Sequence, residues 1–157
     1  MIVIADTTPI NYLILIGQID VLSALYGRVV IPSAVQRELL HALAPSAVRQ
    51  WMEEPPAWLE VLTPRTTIDP ALLKLDAGER EAIVLAEEAG ADLIIVDELQ
   101  GRRVAEGRGF TVIGTLGILR DAASLGLLDL DSTLNRLSET SFHLSPAILD
   151  RLRDKQS

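Results

Sequence analysis

Residues 77–114 read AGEREAIVLAEEAGADLIIVDELQGRRVAEGRGFTVIG, and this stretch decides the fold. A helical pattern carries Ala82, Ile83 and Ala86 along one flank, stops at Gly90 and gives way to an apolar run from Asp92 to Val96. The order then repeats: a second helical pattern passes through Arg102 and Arg103, and a second apolar run spans Phe110 to Ile113. Strands apolar on both faces and alternating with helices call for a mainly parallel sheet covered on each side.

Three more β-branched runs lie N-terminal to this stretch, at Ile2 to Ala5, Arg28 to Ile31 and Trp58 to Leu62. Between them, helices are expected over Pro9 to Ile16 and Ile19 to Tyr26, with Thr8 as N-cap, Pro9 at the first helical position and Gly17 and Gly27 as stops. Pro32 and Ser33 open a helix through about Leu43, and Pro45 starts another that ends at Pro55 and Pro56. Further helices begin near Thr115 and at Pro146. The expected class is α/β, a three-layer α/β/α arrangement around a sheet of about five strands. Residues 53–72, punctuated by Pro55, Pro56, Pro64 and Pro70, are the least regular part. With no fixed-period repeat and no linker, residues 1–157 read as a single domain.

The absence of cysteine excludes thiol catalysis, thiolate metal sites and disulfides, and points to a reducing, cytoplasmic setting. The apolar start MIVIA is too short for a signal-peptide core, and no run is long enough to span a bilayer. A net charge of −8 argues against non-specific nucleic-acid binding through a basic surface. Any phosphate chemistry here needs cations, which carboxylates hold well.

In open parallel sheets, ligands bind beyond the carboxyl ends of the strands, so acids that directly follow strands come first. Asp6 ends MIVIA, and Asp97 ends DLIIV with Glu98 behind it. Either alone is explained by helix capping. Together, at one edge of a parallel sheet, they would repel unless a cation sat between them. Glu38 in SAVQRELLHAL lies on the apolar flank of its helix, an unusual place for Glu, although a head group in water at the stripe's edge also accounts for it. Glu79 lines up with Ala82, Ile83 and Ala86, but Asp76 and Glu79 also form a capping-box pattern, and local rules favour that reading.

The stretches IADTTPINYL, VVIPSAVQRELL, LDAGEREAIVLAEEAGADLIIVDE and GRRVAEGRGFTVIGTLGIL resemble the PIN-domain family. The likeness covers most of the chain, and LDAGEREAI, VDELQGRR and VIGTLGIL look like one prokaryotic subgroup described as predicted nucleic-acid-binding proteins. The resemblance implies an acidic site of Asp6, Glu38, Glu79 and Asp97, with Asp6, Glu79 and Asp97 as metal ligands. The third acid is commonly Asp in that family and is Glu79 here; for the fourth, Glu98 rivals Asp97.

Such a cluster suits Mg²⁺ or Mn²⁺ and the hydrolysis of RNA phosphodiester bonds, with Glu38 orienting or deprotonating the attacking water. Arg102, Arg103 and Arg108 offer phosphate contacts, with ordinary solvated helix surface as the plainer account. His41 and His143 are isolated, and the tryptophans and Tyr12 are too scattered for base stacking. The resemblance further implies a role as the toxin of a toxin–antitoxin pair, a small antitoxin partner and a homodimer. The competing expectation is a non-catalytic nucleic-acid-binding or regulatory module with a degenerate acidic pocket, which the net charge and Glu79 support. An aspartyl-phosphate phosphatase is disfavoured, because Thr8 stands where that signature needs a second Asp. Dinucleotide, P-loop and Ser-hydrolase motifs do not occur.

Overall fold

In the computed structural model, which describes residues 1–154, five parallel strands form one sheet in the order β3-β2-β1-β4-β5. They are β1 (Val3–Ala5), β2 (Val29–Pro32), β3 (Leu59–Leu62), β4 (Leu93–Ile95) and β5 (Val112–Ile113). Each of the five expected runs supplies one strand. Val3, Ile4 and Ala5 pair with Leu93, Ile94 and Ile95, which puts the ends of β1 and β4 side by side.

The period of two along each strand sorts the core into two slabs. Val3, Ala5, Val29, Ile31, Leu93 and Ile95 face one side and pack with α1 (Thr7–Leu15), α2 (Val21–Tyr26), α3 (Ser33–Leu40) and α4 (Ser46–Glu53). The same slab takes in α7 (Thr115–Ser124), α8 (Leu130–Ser138) and Leu152 of α9 (Pro146–Asp154). Ile4, Ile94 and Val96 face the other side, against α5 (Ala77–Ala89) and Ala105 of α6 (Leu99–Gly107). The result is the expected three-layer α/β/α fold. Among the described residues no helix is long and apolar enough to cross a membrane.

Helix starts differ from expectation in one place that matters. The first helix begins at Thr7, so Asp6 rather than Thr8 is its N-cap. Pro9 then sits inside the first turn, where its missing N–H leaves no helical bond unmade. The third helix stops at Leu40 instead of continuing to about Leu43: His41 is extended, and its Nδ1 accepts from the Leu43 N–H at 3.0 Å, closing a turn. Residues 130–138 form a separate helix that the periodicity did not announce. Its signal was Asp129, whose carboxylate accepts from the Ser132 N–H at 2.9 Å.

From β1 the chain turns into α1 on one face, and from β4 into α6 on the other. Successive strands thus depart in opposite directions from the β1–β4 seam. Beyond the carboxyl ends of those two strands lies the topological switch point, the place where folds of this kind open a crevice.

Candidate active site

Asp6 follows β1 directly and is only 3% exposed. At the N-cap of α1 its side chain makes no capping bond. It turns toward α5, where Oδ1 lies 2.7 Å from the position a Cβ on Gly78 would take. Only glycine leaves room for this carboxylate. Oδ1 is buried with no hydrogen-bond partner. A buried anionic oxygen without a partner costs several kcal/mol unless a proton or a cation neutralises it. Burial pushes the Asp6 pKa up to about 8; the Thr7 N–H works against the rise, and the carboxylates of Asp76, Glu79 and Glu38 add to it.

Glu38 reaches the same spot from α3. Thr7 Oγ1 donates to Glu38 Oε2, while Thr7 Oγ1 and Glu38 Oε1 each lie 3.3 Å from the point above Gly78. Three oxygens therefore converge over the first turn of α5. Glu81 of α5 fixes the approach of α3: it accepts from Ser33 Oγ at 3.0 Å and from the Ala34 N–H at 2.9 Å, and Arg37 pairs with it at 3.5 Å. One α5 helix thus supplies the floor of the site through Gly78 and the anchor of its second wall through Glu81.

The other two acids are engaged elsewhere. Glu79 completes a capping box, with Asp76 Oδ1 accepting from the Glu79 N–H at 2.8 Å and Glu79 Oε1 from the Asp76 N–H at 3.2 Å. Its Oε2 is buried without a partner against Gly101 of α6. Burial raises the Glu79 pKa to about 7, with Asp76 and Glu98 contributing. Asp97 stands beyond β4 and turns to the start of α7: its oxygens accept from the Thr115 N–H at 2.8 Å and Thr115 Oγ1 at 2.6 Å. Burial also raises its pKa, against these two bonds and Arg102. Glu98, the rival for that position, is the exposed N-cap of α6 and makes no capping bond.

Asp76 is the acid that the sequence argument left aside. Its charge heads those that raise the Asp6 pKa. The available signal was its place at the mouth of a helix that opens on the same sheet edge. Among the candidate cations, Arg102 stands beside Asp97, and Arg103 lies next to it on α6. Arg108 does not join them: it pairs with Asp69 and Glu87 at 2.8 Å each, at the far end of α6.

Asp6 and Glu38 suit a divalent cation. The orphaned Oδ1, the adjacent Oε1 and the Thr7 hydroxyl are hard oxygen donors, and Mg²⁺ is commonly held by one or two carboxylates, with water completing its shell. Among the described residues no three acids stand close enough to hold one ion together.

The family model described as DUF3368: PIN domain matches residues 2–157. No curated protein matches the sequence. With an all-parallel five-stranded sheet between helical layers and a match over nearly its whole length, the chain belongs to the PIN-domain family, whose members are generally nucleases.

Proposed function

We propose that this protein is a metal-dependent endoribonuclease that hydrolyses RNA phosphodiester bonds at the crevice between Asp6 and Glu38. The observation that carries the reading is the buried, unpartnered Oδ1 of Asp6 facing Glu38 across a glycine floor. A fold that has no use for a cation has little reason to bury that oxygen without a protein partner.

Asp6 and Glu38 would hold Mg²⁺ or Mn²⁺. Such an ion, when bound, lowers the pKa of water and neutralises charge building on the phosphate. Thr7, by donating to Oε2, fixes the Glu38 carboxylate and keeps Oε1 turned toward the ion. Asp97 and Glu79 act through water or after turning away from Thr115 and Gly101. Arg102 and Arg103 steer the RNA backbone. The absence of cysteine fits action in the cytoplasm. The family leads us to add a role as a toxin controlled by a small antitoxin, with the nuclease acting as a homodimer.

Cleavage of a single-stranded RNA in Mn²⁺ tests the reading. Asp6→Asn should lower the rate by at least about 100-fold, since neutralising a central ligand removes most of the charge stabilisation; equal rates in the two proteins would remove the claim. The second reading is a non-catalytic nucleic-acid-binding or regulatory module, favoured by the lack of a third converging acid among the described residues and by the net charge of −8. RNA that binds but stays intact in Mn²⁺ with the wild-type protein would decide for it.

A further inference from the structure

A cleft of ≈ 440 Å³ opens beyond β5, walled by α6, α7 and α9. Arg102, Arg120, Arg151 and His143 line it, with Phe142 among its apolar walls and Asp97 at its inner end. This is a concentration of positive charge on a chain of net charge −8. Arg102 stands beside Asp97, while Arg120 and Arg151 are largely uncommitted. Among the described residues Arg102 and Arg151 have no ion pair, and Arg120 meets only its neighbour Asp121, at 3.4 Å between half-exposed side chains. Asp97 directs its oxygens to Thr115.

The cleft is built. Phe142 is locked against Tyr12 in an edge-to-face contact at 5.0 Å, and the Tyr12 hydroxyl bonds Ser141 Oγ at 2.7 Å. Gly114 and Gly117 keep the floor low: a Cβ on Gly114 would lie 2.7 Å from Asp97 Oδ1, and one on Gly117 would lie 2.6 Å from Ile113 Cγ1. Low-dielectric walls around like charges focus the field on whatever enters.

Its position supplies the ligand. In the strand order, β1 carries Asp6, β4 carries Asp97 and β5 opens into the cleft. At the usual spacing of strands, the basic cleft lies about 10 Å along the sheet edge from the acidic site. We propose that this cleft is a second phosphate site, which grips the backbone of the single-stranded RNA beside the nucleotide held at Asp6. The identity of the strand rests on the nuclease reading; the charge of the cleft does not. Guanidinium groups from three helices around one cavity match the oxygens of a phosphodiester. They answer the objection that an acidic protein has no electrostatic hold on RNA.

The test measures binding of a fluorescent oligouridylate in EDTA by anisotropy, so that no cleavage is involved. Arg120→Gln combined with Arg151→Gln should weaken binding about 10-fold or more and flatten the salt dependence by about 1.4 log units per log of salt, for two lost contacts. Arg28→Gln combined with Arg65→Gln removes the same charge elsewhere and should leave affinity within about twofold. Equal losses in the two double variants would overturn the proposal. Competition by polyglutamate or by inorganic phosphate as strong as that of unlabelled oligouridylate would also overturn it, as the signature of an acidic peptide site or a free-phosphate site. If Asp6→Asn cleaves RNA in Mn²⁺ as fast as wild type, the nuclease reading fails while the binding result stands on its own.

Discussion

Asp6 has an ordinary pKa of 3.8 in the unfolded chain and about 8 in the folded one, chiefly through burial. Between those values the unfolded chain gives up a proton that the folded chain keeps. The group therefore stabilises the metal-free fold fully below about pH 4, and that contribution is lost as pH rises toward 8. Glu79 acts with the same sign between 4.5 and about 7. In urea, metal-free wild-type protein should be less stable at pH 8 than at pH 5. Asp6→Asn should flatten the profile and exceed wild type by about 2–4 kcal/mol at pH 8. Parallel profiles would show that the carboxylate meets no such penalty. At this scale the sequence exposed Asp6 through its place after a strand, and Glu38 through its place on an apolar flank. The turn of Asp97 to Thr115 was hidden, because it depends on a partner 18 residues away on another strand's exit. Arg108 was hidden likewise, its acids Asp69 and Glu87 being brought in by a loop and a neighbouring helix.

Among the elements, α5 and α6 meet at a contact that local patterns explain only by half. The capping box accounts for Glu79 Oε1; the burial of Oε2 against Gly101 comes from helix packing, which periodicity does not describe. A Cβ on Gly101 would overlap that oxygen. Gly101→Ala should gain up to about 1 kcal/mol of helix propensity and lose about 1–3 to overpacking, a net loss. In a Glu79→Ala background the carboxylate is gone and only Val96 Cγ2, at 3.2 Å, crowds the new methyl, so the same change should cost much less. Chemical denaturation of the four proteins measures this coupling; additive effects would mean that Glu79 moves aside freely. Strand and helix order were legible because β-branched runs, glycine stops and proline starts agree with one another. Helix boundaries shifted where tertiary contacts outweighed them, as at Asp6, which gave up its capping bond to face Gly78.

For the molecule as a whole, the acidic crevice is a local excess of charge that destabilises the fold until it is neutralised. A ligand that binds only the folded state raises stability by mass action, about 2.7 kcal/mol at 100 times its Kd. For a chain of this size that amounts to about 5–10 °C in the thermal midpoint. Saturating Mn²⁺ should produce such a rise in wild type and none in Asp6→Asn or Gly78→Ala, by calorimetry at pH 7.5. An equal rise in all three would place the ion elsewhere. The switch point between β1 and β4 was readable from strand alternation, whereas the basic cleft was not, because Arg102, Arg120 and Arg151 come together only when three helices pack.

The double duty of α5 sets an order of events for a chain emerging from a ribosome. Asp6 and Glu38 are synthesised early, yet Gly78 and Glu81, which floor the crevice and anchor α3, come some forty residues after Glu38, and β4 beside Asp6 comes later still. An N-terminal fragment that stops short of α5 holds the acids but not their geometry. Under the proposed ribonuclease reading, the growing chain has no assembled site while the ribosome's own RNA surrounds it.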